Sequence, residues 1–171
     1  MTICFKVCGV VLVVFATSAY GFMMSGDLQK RLSQLYELKK IMFLLKGEIS
    51  YGATPLLEAC SNIAKRVKAP FCEVLYNISV SEEKTIKEIW KTNFSDGFKY
   101  MNLNGEDKER LLLLGDSLGL SDKETQSRVI SLYLEELEMS IKALNEMLPK
   151  KTRVYRCLGV VSGIMLAIII I

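Results

Sequence analysis

The residues that come nearest to a reactive site are Glu48, the pair Cys60 and Cys72, and the run Gly115-Asp116-Ser117-Leu118-Gly119. A carboxylate beside a turn could serve as a general acid or base, paired cysteines could hold zinc, and a glycine-rich loop could cradle phosphate. Each falls short of its chemistry. The glycine run lacks the Lys-Ser/Thr that a phosphate loop needs, and the two cysteines have no Cys-x-x-Cys spacing. The chain contains no histidine, which excludes histidine metal sites and the Ser-His-Asp and Cys-His arrangements. Most acids sit among lysines at the spacing of a solvated helix face, and Glu48 reads better as a surface residue or a cap partner for the next helix. The residues therefore predict no enzyme, no cofactor and no metal.

Charge is distributed unevenly. Of the 22 cations only Lys6 precedes Ser25, and Lys150, Lys151, Arg153 and Arg156 close the charged region; the remaining 17 face 19 acids, a net −2. A domain of that sign is a poor nucleic-acid binder. With half its residues hydrophobic, the chain is also not a disordered one.

The ends are apolar. Val7 to Met24 carries no charge and as a helix spans about 27 Å, near the roughly 30 Å of a bilayer core. Cys157 to Ile171 spans about 22 Å, and Tyr155 and the stem of Arg156 can lengthen it at the interface. We expect residues 1–24 to form an N-terminal transmembrane segment, 25–149 a helical bundle, and 150–171 a basic cluster followed by a C-terminal transmembrane segment. The excess of cations at Lys30, Arg31 and Lys150 to Arg156 places the bundle in the cytoplasm under the positive-inside rule. The same cluster suits anionic lipid headgroups. A second reading makes the first segment a signal peptide cleaved near Ala19-Tyr20-Gly21, which would export the bundle. Five cysteines without a framework suit a reducing compartment.

Breakers divide the middle into six helices without a convincing strand. The first, Asp27 to Ser50, carries the stripe Leu28, Leu32, Leu35, Leu38, Met42, Leu45 and Ile49. Thr54-Pro55 should restart the chain after the Tyr51-Gly52-Ala53 break, the threonine capping and the proline occupying the first helical position. That second helix turns Leu56, Leu57, Cys60, Ile63 and Val67 inward. Pro70 opens a third with Phe71, Val74, Leu75 and Ile78, and Ser81-Glu82-Glu83 a fourth with Ile86, Ile89, Trp90 and Phe94. Ser95 to Asn104 reads as irregular. The fifth helix, Gly105 to Leu118, contains four successive leucines that suggest burial on more than one side, with Gly119 as a left-handed C-cap. Ser121 and Glu124 form a capping box for the sixth, whose stripe is Val129, Leu132 or Tyr133, Leu137, Ile141, Leu144 and Leu148, ending at Pro149. The fold class is all-α.

Two stretches exceed ordinary helix punctuation: Glu48-Ile49-Ser50-Tyr51-Gly52-Ala53-Thr54-Pro55-Leu56-Leu57-Glu58-Ala59, and Leu114-Gly115-Asp116-Ser117-Leu118-Gly119-Leu120-Ser121-Asp122-Lys123-Glu124-Thr125-Gln126. With the closing Leu158-Gly159-Val160-Val161-Ser162-Gly163, they resemble the stage III sporulation protein AB family of endospore-forming bacteria. The resemblance implies a six-helix cytoplasmic bundle similar to the platform protein of type II secretion and type IV pilus machines. It also implies a place in the channel assembly between mother cell and forespore, in the mother-cell membrane, with a secretion-type ATPase and other channel subunits as partners. A homo-oligomer fits the same picture. The surfaces expected to meet a partner are the two motif turns, around Glu48, Thr54 and Pro55 and around Asp122 and Gln126. An adaptor or regulatory scaffold without a motor partner, anchored in the same way, is the alternative.

Overall fold

The computed structural model describes residues 2–52, 54–81, 85–119 and 122–170; over 2–25 and 155–170 it describes the helical backbone with few of the side chains. Every regular element among them is helical: α1 (Thr2–Ser50), α2 (Leu56–Ala64), α3 (Phe71–Ser79), α4 (Ile86–Gly97), a 3-10 turn (Phe98–Tyr100), α5 (Gly105–Leu118) and α6 (Lys123–Ile170). Six α-helices without a strand fit the helical bundle expected. The chain forms two compact units, Met1–Lys30 with Ala143–Ile171, and Arg31–Lys142.

The second unit holds nearly all of the core. From α1 it takes Leu35, Leu38, Ile41, Met42, Leu45 and Ile49, all at most 2% exposed, so the predicted stripe is buried from Leu35 onward and gains Ile41, while its first two members, Leu28 and Leu32, are only half-buried. Fully burying one such side chain contributes about 1.5–3 kcal/mol. Phe71, Val74, Leu75 and Ile78 of α3 all face inward as their spacing requires. The rings of Trp90 and Phe94 in α4 meet tilted at 45°, 4.6 Å between centroids, and the indole N–H donates to the Leu111 carbonyl at 2.8 Å. Gly115 makes room for this indole: a Cβ there would lie 2.3 Å from Trp90 Cδ1.

Several boundaries differ from the expectation. No break occurs near Asp27, because α1 runs unbroken from Thr2; a single Gly26 costs a helix only about 1 kcal/mol and does not end it. Helix α2 stops at Ala64, leaving Val67 in a turn that Lys40 and Glu37 of α1 hold through Arg66 O (2.6 Å) and Lys68 N (3.1 Å). Helix α4 opens at Thr85, whose hydroxyl accepts from Glu88 N while the Glu88 carboxylate accepts from Thr85 N. Ser81 instead donates to Asn77 O at the end of α3, and residues 82–84 lie outside the described residues. The stretch expected to be irregular begins as helix through Gly97 and the 3-10 turn, and Met101 and Leu103 beyond it are buried.

In α5, Leu111 and Leu114 are buried but Leu113 is exposed, so the four leucines do not bury on every side. Gly119 has φ −84°, a right-handed C-cap rather than a left-handed one. Its small size serves a close approach instead, since a Cβ would sit 3.3 Å from Lys87 N. In α6 the inward residue is Tyr133, with Leu132 exposed, and Ile130 joins the core. Pro149 does not end this helix, which continues to Ile170. A proline inside a helix removes one ladder donor and costs about 3 kcal/mol, which weakens the helix without having to end it. Among the described residues no helix is long and apolar enough to cross a membrane, and the runs 7–24 and 157–171 lie mostly outside the described side chains.

Candidate functional site

The first motif turn is built on Glu48. As α1 ends, Tyr51 N donates to Gly47 O (3.0 Å) and Thr54 N to Glu48 O (3.3 Å). The Thr54 hydroxyl donates to the Glu48 carboxylate at 3.1 Å, so threonine locks the turn backward and does not cap α2. Pro55 occupies the N-cap position and is exposed; its carbonyl accepts from Ala59 N at 2.9 Å. The loop is too tight for a side chain at Gly52, where a Cβ would lie 2.7 Å from Thr54 Oγ1 and 2.8 Å from Glu48 O. Glu48 is thus a turn partner, and the side chain the turn presents outward is Tyr51, 93% exposed.

The second motif turn is built on Asp122. Its carboxylate accepts from Thr125 N at 2.8 Å and its carbonyl from Gln126 N at 2.9 Å, which makes Asp122 itself the cap of α6. Ser121, the expected cap, lies outside the described residues. The Thr125 backbone N–H, its hydroxyl and then Arg128 hold the Asp122 carboxyl below its ordinary value of 3.8. The Gln126 side-chain amide donates to Leu118 O at 2.7 Å and ties the last turn of α5 to the first of α6. Lys87 and Asp116 pair at 3.3 Å and fasten α4 to the same end of α5.

The fold brings the two motifs together. Ser50 Oγ donates to Ser127 Oγ at 2.9 Å, joining residues adjacent to both turns. All five residues predicted from the motifs, Glu48, Thr54, Pro55, Asp122 and Gln126, lie on this pair of turns. The residues missed are Ser50, Tyr51, Gly52 and Ser127. The first three stand inside the quoted motif, but no spacing in the sequence says that Ser50 meets Ser127.

A second polar centre escaped the sequence. Asp107, 5% exposed, takes Arg31 Nε at 2.8 Å on Oδ2 and Arg31 Nη2 at 3.1 Å on Oδ1. It also closes a capping box with Asn104, whose side chain accepts from Asp107 N at 2.7 Å. Beside this pair, the Tyr133 hydroxyl is buried without a hydrogen-bond partner, and burial foremost, with Asp107 and Glu136, pushes the phenol above its ordinary value. The Cys60 thiol is pushed up to about 12 by burial, which keeps it protonated and inert. Among the described residues no cluster of three His, Cys, Asp or Glu could hold a metal. Of the expected membrane-flanking cations, Lys150, Lys151 and Arg153 are exposed on α6, and the side chain of Arg156 is outside the described residues. What the paired motif turns offer is contact: an exposed ring, an exposed proline and an ionised carboxylate.

A family profile for stage III sporulation protein AB matches residues 6–171. Stage III sporulation protein AB of Bacillus subtilis (strain 168) is 29% identical over 168 residues, covering 96% of this chain and 98% of its own. A solved structure of stage III sporulation protein AB superposes with a TM-score of 0.65 at 27% identity, covering 70% of this chain and 96% of that one.

Proposed function

The chain belongs to the stage III sporulation protein AB family, and from that premise we propose that it works in sporulation as a non-catalytic, membrane-anchored platform. It sits in the channel assembly between mother cell and forespore. Residues 7–24 and 157–171 anchor it in the mother-cell membrane, and the bundle faces the cytoplasm, where a secretion-type ATPase docks. The single observation that carries this reading is the Ser50–Ser127 contact. It joins two stretches far apart in the chain into one surface, and that surface leaves Tyr51, Pro55 and Asp122 exposed. An exposed aromatic ring is costly to leave in water and is the kind of side chain that anchors protein interfaces.

The test is co-purification of the tagged full chain from sporulating cells, with Tyr51→Ala and Asp122→Lys as variants. A platform brings down an ATPase and other channel subunits, and the variants lose the ATPase while still reaching the membrane. If both variants retain the ATPase and the normal spore yield, the motif turns are not the docking surface. Sidedness is read separately with Tyr51→Cys and a membrane-impermeant maleimide. Labelling from the cytoplasmic side supports the proposal, and labelling only from the far side puts the bundle out of reach of any soluble motor. Recovery of the chain with other membrane subunits but never a motor would favour the adaptor reading.

A further inference from the structure

In the unit formed by Met1–Lys30 and Ala143–Ile171, a groove of about 420 Å³ opens between α1 and α6. Gln29, Leu148, Pro149, Thr152, Arg153 and Cys157 line it. The volume falls in the roughly 300–1,000 Å³ range of sites that take small molecules. Its walls are mostly apolar, but three polar side chains, Gln29, Thr152 and Arg153, stand in it. The Thr152 hydroxyl is shut off from water and has no hydrogen-bond partner, a condition that costs stability unless something in the groove accepts its hydrogen. Arg153 supplies a guanidinium, and among the described residues neither it nor its neighbours Lys150 and Lys151 takes part in an ion pair. One unneutralised cation in the groove with two more beside it, an unpaired hydroxyl donor and an apolar wall together describe the complement of a phosphate carrying hydrocarbon.

We infer that this groove is a binding site for an anionic phospholipid, its phosphate held by Arg153 and Thr152, its headgroup lying toward Pro149 and its first acyl carbons running past Cys157 toward the membrane end of α6. Arginine matches a phosphate with two parallel charge-assisted hydrogen bonds, and a neighbouring hydroxyl adds a third. A free phosphate would meet the same polar pair but would leave the groove's membrane end at Cys157 uncovered. The inference rests on the membrane-anchored reading above, since a lipid is within reach only if residue 157 begins a membrane segment. It goes beyond general attraction of a basic cluster to a negative surface, because it assigns the headgroup to two named side chains.

The experiment uses the full chain purified in neutral detergent and titrated with phosphatidylglycerol, phosphatidylcholine or inorganic phosphate, with retained lipid read by native mass spectrometry and the unfolding midpoint recorded alongside. Phosphatidylglycerol should be retained in a one-to-one complex and raise the midpoint, while phosphatidylcholine and inorganic phosphate should do neither. Thr152→Val with Arg153→Gln should weaken phosphatidylglycerol roughly ten- to hundredfold, the loss of charge-assisted hydrogen bonds. Lys150→Gln with Lys151→Gln, which removes more charge outside the groove, should weaken it far less. Equal weakening by both pairs would make the attraction diffuse and overturn the site, as would equal retention of phosphatidylcholine. A midpoint raised as much by inorganic phosphate would make it a free-phosphate site. Recovery of the wild-type chain in the soluble fraction without detergent would sink the membrane reading itself. That failure is distinct from a membrane-bound chain that retains no lipid, which overturns the site alone.

Discussion

Arg31 and Asp107 meet through two parallel hydrogen bonds of 2.8 and 3.1 Å, fastening α1 to the first turn of α5. Asp107 is nearly enclosed while Arg31 keeps 22% of its side chain exposed, so the charge that depends most on the contact is the carboxylate. A pair of this kind adds little net stability over apolar residues, but removing one partner leaves a charge desolvated and unmatched. Arg31→Met should therefore cost about 3 kcal/mol, measured by denaturant unfolding of the full chain in detergent. Arg31→Met combined with Asp107→Leu should recover part of that loss. A double variant as unstable as the sum of the singles would mean that the capping role of Asp107 with Asn104 outweighs the ion pair.

Tyr133→Phe should leave stability unchanged or raise it by about 1 kcal/mol, because the hydroxyl is buried with no partner and its desolvation is uncompensated. The same unfolding measurement checks it. A loss of more than about 1 kcal/mol would mean that the hydroxyl has found an acceptor in solution.

Gly115→Ala should destabilise the bundle by about 1–3 kcal/mol, since the added methyl would fall 2.3 Å from Trp90 Cδ1 in a packed core. The chain has a single tryptophan, so a red shift of its fluorescence reports any displacement of the indole directly.

The Asp122 cap gives a pH dependence with a definite sign. Its carboxyl is held below 3.8 in the folded chain by the Thr125 N–H and hydroxyl, so folding favours the ionised form. The contribution is complete above the unfolded value and disappears as pH falls through the lower folded one. Asp122→Ala should lower the unfolding midpoint clearly at pH 7 and progressively less below about pH 4. A midpoint difference that stays constant down to pH 2 would show that the carboxylate is not the capping group.

Periodic information was the most readable part of this sequence. Phe71, Val74, Leu75 and Ile78 lie on one side of α3 because their spacing allows no other face to be buried, and the leucines of α1 follow the same rule. Helix starts were harder, since Ser81-Glu82-Glu83 and Thr85-x-x-Glu88 both carry start signals and only the packing of Ile89 and Trp90 decides between them. Asp107 looks like any other acid in the run Glu106-Asp107-Lys108-Glu109-Arg110, and its burial follows from an arginine 76 positions away. The motif turns were legible as unusual strings, and each of their five predicted residues does lie on one of them. Their meeting at Ser50 and Ser127 was not, because a tertiary contact between two serines leaves no local trace.

That serine contact sets an energy scale. A solvent-exposed hydroxyl–hydroxyl bond contributes only about 1 kcal/mol net to stability. The contact trims the fit of two turns whose helices are also joined by the Lys39–Glu138 pair at 2.8 Å. The strength with which the turns hold each other is a property that a single methyl or hydroxyl at position 50 or 127 can adjust.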